Sequence, residues 1–348
     1  MASTASSHPG SPVPDDPLAA TYDEFGRRWA HGTSPLYEDW ATGIARDAEV
    51  LGLIRTLPAP KRQPNLVFAA ARWEGAPLDP YPAWREWLTA HWTQVAETAL
   101  ERATQTNEVN RCATLMPVMS QIDGPVALLE VGTAAGLCLY PDRYAYRYDS
   151  PGGERTLAPT GATAAVTLAC RLDDADSAPT RLPDVAWRAG IDLAPIDAGD
   201  ADAVAWLETL IWPGPDHDAR RARLRGAASL AAADPPRIVR GDLLERLEPL
   251  AADAPAEATL VVFHSAVLLY LDAAQRRRFA DVIAALGTRT GRRVVWLSNE
   301  TLGTLPEIDA RVPADLDTHH RFVQTVDGVP VALANQHGAT YETVPFRT

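Results

Sequence analysis

Residues 126–137, Val126-Ala-Leu-Leu-Glu-Val-Gly-Thr-Ala-Ala-Gly-Leu137, carry the pattern on which the fold turns. Val126 to Leu129 form an unbroken apolar run, as expected of a strand covered on both faces, where alternation disappears because neither side meets water. Glu130 ends the run and Gly132 permits a tight turn. Ala134, Ala135 and Gly136 then keep side chains short enough for a ligand and a following helix to approach the backbone. The spacing predicts strand, corner and helix. A dinucleotide fingerprint would need glycine where Ala134 and Leu137 stand, so NAD is a poor fit.

Downstream, strand-like segments recur at residues 185–193, 237–241, 259–264 and 293–298, separated by stretches of helix length. Such alternation implies a mostly parallel sheet with ligands outside the carboxyl ends of its strands. Residues 321–325 and 329–334, joined by Asp327-Gly328, predict a closing antiparallel hairpin. Between the corner and residue 185, an insert at 148–184 contains Ser-Pro-Gly-Gly at 150–153 and an extended run at 165–170, expected to form a loop and a short hairpin. Upstream, residues 18–122 read as an N-terminal helical cap, broken at Leu57-Pro58 and at residues 77–82 by prolines that push the preceding residue out of helical geometry. Its aromatic stripes, Tyr22, Phe25 and Trp29, then Trp84, Trp87 and Trp92, are read as core. The expected divisions are a frayed tail at 1–17, the cap at 18–122 and an α/β domain at 123–348.

A chain of 348 residues, 46% hydrophobic, has ample material for one large or two fused cores. A formal charge of −13 repels phosphate backbones, which disfavours nucleic acid as a partner. Residues 1–17 lack the basic start and apolar centre of a signal peptide, and no apolar run reaches the roughly 18–20 residues of a transmembrane helix. A cytoplasmic protein is expected. Cys112, Cys138 and Cys170 are far apart with no C-x-x-C pair, so neither a disulfide framework nor a metal site is indicated. Lys61 is the only lysine among many arginines, a bias that points to a GC-rich bacterial genome. In the arginine-rich run 220–225, the preceding Asp216 and Asp218 favour a solvated or salt-bridged helix face.

Through Glu130, Gly132, Ala134 and Gly136 the corner matches acidic-x-Gly-x-small-x-Gly, and so resembles the first motif of class I S-adenosylmethionine-dependent methyltransferases. The resemblance spans residues 105–340 and implies a Rossmann-like methyltransferase-type sheet. It also implies S-adenosylmethionine at Glu130, Gly132, Thr133, Ala134 and Gly136, the glycines making room for the methionyl part and the acid holding its ammonium group. Asp242, after Arg240-Gly241, resembles the family's adenine-contacting Gly-Asp motif, or it caps a helix over residues 243–250. Asp192 either holds the ribose or forms a turn near Pro195. Asp149 stands nearer the usual distance from the corner but lacks a convincing strand.

At the fourth strand end, where amino-methylating relatives carry an acid or amide followed by prolines and an aromatic, this chain has Phe263-His264-Ser265-Ala266. His264 is either a general base or a buried structural histidine. Ser265 either orients substrate or caps a helix toward Tyr270. A Ser–His nucleophile pair is disfavoured, because adjacent residues on a strand face opposite sides. Before the corner, residues 105–111 open a helix toward Met119 that Thr106 can cap. There Glu108 and Arg111 either pair with each other or point, with Asn107, into the cleft as substrate-binding residues. Trp212-Pro213 reads as a hinge or lid edge.

Taken together, Thr106-Asn-Glu-Val-x-Arg111, the corner, Arg188-x-Gly-x-Asp192-Leu-x-Pro195 and His264-Ser-Ala266 resemble an uncharacterised actinobacterial family, a domain of unknown function, over nearly the whole chain. That resemblance implies no activity. The expected function is methyl transfer from S-adenosylmethionine to a small-molecule acceptor, with His264 assisting deprotonation. The alternatives are the same fold without the cofactor, performing another displacement or elimination on a metabolite, and a non-catalytic metabolite sensor or scaffold. A homodimer or a partner chain is compatible with each.

Overall fold

The computed structural model describes residues 16–161, 164, 166–319 and 321–344. Residues 1–15 of the expected tail, and Ala165 of the expected extended run, lie outside the described residues. The chain divides into two units, residues 1–106 with 205–221, and residues 107–204 with 222–348.

In the first unit, helices α1 (Pro17–Glu24), α2 (Pro35–Ile44), α3 (Ala48–Arg55), α4 (Pro64–Trp73) and α5 (Tyr81–Glu101) follow the sequence signals closely. Asp16, Ser34 and Asp47 accept backbone N–H groups at three N-termini. Proline occupies the first turn of α1, α2, α4 and α5, where its missing N–H has no partner to lose. Tyr22, Tyr37, Trp40, Phe68 and Trp84 are fully buried, with Trp40 and Trp84 stacked at 4.6 Å. Trp212 packs on Phe25 and Tyr37 at 5.1 and 5.8 Å, so the expected hinge residue belongs to this aromatic core. Trp29, by contrast, is exposed.

In the second unit α6 (Arg111–Met119) precedes the sheet, so the helical region ends before residue 122 as a separate body. Its strands are β1 (Pro125–Val131), β2 (Ala145–Ser150), β3 (Gly153–Leu157), β4 (Thr167–Leu172), β5 (Asp184–Asp192), β6 (Arg237–Arg240), β7 (Thr259–Ser265), β8 (Val294–Glu300), β9 (Arg321–Val326), β10 (Val329–Asn335) and β11 (Thr340–Thr343). α7 (Ala201–Thr209) and α8 (His217–Ala233) lie between β5 and β6, α9 (Leu243–Ala252) between β6 and β7, and α10 (Ala273–Thr290) between β7 and β8; α11 (Pro306–Asp309) follows β8. One sheet runs β3-β2-β4-β11-β10-β9-β8-β7-β1-β5-β6. Strands β6, β5, β1, β7 and β8 are mutually parallel. After β2, β3 and β4 at the far end of the sheet, the chain lays β5 beside β1 and β6 outside it, then returns to the other side of β1 for β7 and β8, which makes β1/β7 the point where strand order reverses. Crevices at such points are where open α/β sheets bind ligands.

The expected hairpin is β9–β10, with Asp327 and Gly328 both at positive φ as a two-residue hairpin turn requires. Two expectations are corrected. No helix follows the corner: residues Leu137–Leu139 make a single 3-10 turn, and the chain turns at once toward β2. The insert is more than a loop and hairpin. β2 and β3 do pair across the 150–153 turn, but β4 pairs in parallel with both β2 and β11, extending the main sheet. Asp149 thus sits on a real strand, at the far end of the sheet from β5.

Ala127, Leu129, Val131, Leu260 and Val262 face α9 and α10, where Leu247, Phe279 and Ile283 complete a buried cluster. α10 is held at its start by a capping box of Asp272 and Gln275 and ends on Gly291 in left-handed geometry.

Candidate functional site

Register sorts the polar residues at the carboxyl ends of the central strands onto two faces. Glu130 pairs with Phe263 and Phe263 with Leu297; two residues further on, Ser265 pairs with Asn299 and Asn299 with Gln324. With side chains alternating along each strand, Glu130, Ser265, Asn299 and Gln324 share one face. His264, Trp296 and Glu300 share the other, the face of α10.

On the first face, Gln324 Nε2 donates to Thr114 O of α6 at 2.9 Å and to Asn299 Oδ1 at 3.0 Å, while Asn299 Nδ2 donates to Ser265 Oγ at 3.3 Å. Arg111, the first residue of α6, reaches across this row. Its Nε donates to Gln336 O at 3.0 Å and an Nη to Ser265 O at 3.4 Å, and its guanidinium lies 5.2 Å from the Phe322 ring. Burial pulls the Arg111 pKa down, opposed by the charges of Cys138, Glu108, Glu130 and Glu300. Glu130 accepts from Thr133 Oγ1 at 2.6 Å. Burial pushes its carboxyl up to about 8, the Thr133 hydroxyl and Arg111 pulling down and Asp192 adding to the rise.

On the second face His264 is fully buried. Its Nε2 accepts from Trp296 Nε1 at 2.9 Å, which leaves Nδ1 to donate to Glu300 Oε1 at 2.8 Å. Both ring nitrogens are occupied, and no lone pair is left to take a substrate proton. The same Glu300 oxygen accepts from the N–H groups of Val267 and Leu268 at 2.9 and 3.0 Å. His264, Trp296 and Glu300 therefore hold the turn after β7, and the structure gives His264 a positioning role.

The corner after β1 is similarly tied down. Gly132 adopts φ +71°, and a Cβ placed on it would stand 2.4 Å from Val267 Cγ2. A Cβ on Gly136 (φ +70°) would meet Pro236 Cγ at 3.0 Å and Ile238 Cδ1 at 3.2 Å. Thr133 is buried against Gly190 of β5. Ala134, a non-glycine residue at φ +49°, donates its N–H to Asp192 Oδ2 at 2.8 Å, and Asp192 Oδ1 accepts from Ala194 N at 2.8 Å. Asp192 is thus the turn former, bracing the corner with its remaining oxygen. Asp242 caps α9, accepting from Leu244 N at 2.7 Å. Ala266, after β7, is a second alanine in left-handed geometry, φ +58°. Such strain persists only where the surroundings over-determine it, and it clusters at functional sites.

Of the residues before the corner, Asn107 Oδ1 accepts from Ala135 N at 3.0 Å, and its Nδ2 is buried without a hydrogen bond. Glu108 accepts from Asn110 N at 3.3 Å and lies 3.6 Å from Arg223. The N-cap of α6 is Asn110, not Thr106. Ser265 is the last residue of β7 and caps no helix. The structure therefore brings Arg111, Glu130, Thr133 and Ser265 to the reversal point of the sheet, and commits Asp192, Asp242 and His264 to bracing. The sequence reading missed Glu300, Asn299 and Gln324. One signal was present: Glu300, like Glu130, is an acidic residue at the carboxyl end of a central strand. Among the described residues no group of three or more His, Cys, Asp or Glu side chains is placed to hold a metal ion, and no helix is long and apolar enough to cross a membrane.

Residues 19–342 match a family described as an uncharacterised protein conserved in bacteria, DUF2332. No curated protein and no solved structure matches the chain. With the match covering nearly its whole length, the chain belongs to that family.

Proposed function

We propose that this DUF2332 chain binds a small metabolite at the carboxyl edge of β1 and β7, with Glu130 as the proton-transfer group and Arg111 and Ser265 beside it. The observation that carries this reading is a strand-end carboxyl at the sheet's reversal point, held partly neutral near pH 7 by burial, next to a buried guanidinium. A carboxyl poised near neutrality in a cleft suits general acid–base work. The rim supports a ligand with an apolar portion: Leu193 after β5, Leu269 and Tyr270 after β7, and Leu302 after β8 are exposed, Tyr270 by 80%. Arg276 joins the last two loops, donating to Leu268 O, Leu269 O and Thr304 O.

S-adenosylmethionine, implied by the methyltransferase resemblance, does not fit the residues present. Val267 fills the space beside Gly132, Pro236 and Ile238 back Gly136, and both Asp192 oxygens serve the backbone. The reading favoured here keeps the parallel order of the sheet and leaves that cofactor out. Mass spectrometry of ligands retained by the purified protein, followed by calorimetry of each candidate, tests it. Binding that falls at least tenfold in Glu130→Gln and Arg111→Ala supports the reading. Micromolar binding of S-adenosylmethionine that is lost in Asp192→Asn would overturn it in favour of methyl transfer.

A further inference from the structure

Two donors at the reversal point of the sheet have no acceptor among the described residues. Arg111 is 9% exposed. Its Nε and Nη1 are spent on the backbone carbonyls of Gln336 and Ser265, while Nη2 donates to no described residue, and the guanidinium forms no ion pair among them. A guanidinium nine-tenths buried with only carbonyl partners lacks the counter-charge that burial demands. The second donor is the Ser265 hydroxyl. Gln324 Nε2 anchors on Thr114 O at 2.9 Å, which turns its amide so that the same nitrogen meets Asn299 Oδ1 at 3.0 Å. Asn299 Nδ2 is thereby left to donate to Ser265 Oγ at 3.3 Å. Ser265 Oγ accepts in this relay, so its own proton points elsewhere, and no described residue receives it. The two donors sit at one place, because Arg111 Nη1 bonds the carbonyl oxygen of Ser265 itself at 3.4 Å.

We infer that Arg111 Nη2 and the Ser265 hydroxyl receive a carboxylate of the bound metabolite, which makes the ligand a monocarboxylate with an apolar substituent; this rests on the site proposed above. A carboxylate accepts from guanidinium and hydroxyl alike, and bonds of this charge-assisted kind are short and strong. Charge limits the anion to one unit. Glu108, Glu130 and Glu300 all lie within charge range of Arg111, so a phosphate dianion would meet more repulsion than one guanidinium offsets. The apolar substituent suits the exposed Leu269, Tyr270 and Leu302 of the rim.

The test measures binding of phenylacetate, phenylacetamide and phenyl phosphate to the full-length protein by saturation-transfer NMR and calorimetry. The acid is expected to bind about tenfold or more tightly than its amide, and more tightly than phenyl phosphate. Ser265→Ala should shrink the advantage of acid over amide and Arg111→Gln should abolish it, whereas Glu130→Gln weakens both and keeps their ratio. Equal binding of acid and amide by the wild-type protein, tighter binding of the phosphate, or no binding of the acid at millimolar concentration overturns the carboxylate assignment. If acid and amide bind alike yet both weaken in Glu130→Gln, the site stands and only the ligand class falls. An acid preference that survives both Arg111→Gln and Ser265→Ala places the anion elsewhere and overturns the site together with the inference. Because the wild-type comparison already decides the ligand class, an Arg111→Gln protein that fails to fold leaves the test intact.

Discussion

Val267 stands where a side chain on Gly132 would have to go, its Cγ2 2.4 Å from that position. The turn after β7 is seated in the turn after β1, and Glu300 fixes the seating by accepting the N–H groups of Val267 and Leu268. The glycine in the chain's most ligand-like motif leaves room for another part of the same protein.

Gly132→Ala is expected to destabilise the protein by about 1–3 kcal/mol, from left-handed backbone strain and overpacking against Val267. Adding Val267→Ala should relieve the packing part and leave the strain. Denaturant unfolding of the two single variants and the double variant measures the coupling. Strict additivity would show that the two side chains do not compete for one space.

Glu300→Ala leaves the His264 ring N–H and the amides of Val267 and Leu268 without their acceptor. A loss of about 2–4 kcal/mol is expected. Hydrogen exchange at residues 267 and 268 should rise more than at the centre of β7. Uniform acceleration across the strand would argue for a general loss of stability instead.

The raised pKa of Glu130, from the ordinary 4.5 to about 8, makes stability depend on pH. Between those values the folded protein binds more protons at this group than the unfolded chain, so unfolding free energy falls as pH rises. The stabilisation is fully present below pH 4.5 and lost through pH 8. One group sets a slope of at most about 1.4 kcal/mol per pH unit. Unfolding curves from pH 5 to 8 should lose this slope in Glu130→Gln, and an unchanged slope would remove Glu130 as its source.

In the helical unit, Arg72 donates from one Nη to Tyr37 Oη at 3.1 Å and to the carbonyls of Thr209 and Ile211, each at 2.7 Å. Arg72→Met strands those acceptors, at an expected cost of about 2–4 kcal/mol. Limited proteolysis should then cut faster within residues 205–221. Unchanged cleavage and an unchanged midpoint would mean that the segment is held by Trp206 and Trp212 packing alone.

Strands β1, β7 and β8 were legible because each carries an apolar run ended by a polar residue, a pattern that burial on both faces imposes. The β9–β10 turn was legible because Asp327-Gly328 tolerates positive φ at both positions. The missing helix after the corner was not legible: Leu137-Cys138-Leu139 has helical composition, yet the chain there makes a single 3-10 turn, with Gly136 close against Pro236 and Ile238 from far along the chain. Of the candidate site, Glu130 and Arg111 were named from sequence. His264 was named with its alternatives open, since only tertiary structure shows that Trp296 and Glu300 occupy its ring nitrogens. Asn299 and Gln324 meet through pairings across long sequence separations that no local pattern encodes.

β4 joins the rest of the sheet through β11 alone on that side, residues 171 and 172 pairing with 340 and 341. On the ribosome, the segment that forms β2, β3 and β4 emerges early and has to wait for more than 160 further residues before its neighbour is synthesised. Such late, long-range closure slows folding and leaves a strand edge open to other chains in the interval. Nascent copies of this protein are therefore expected to call on a holdase chaperone until residue 343 has cleared the exit tunnel.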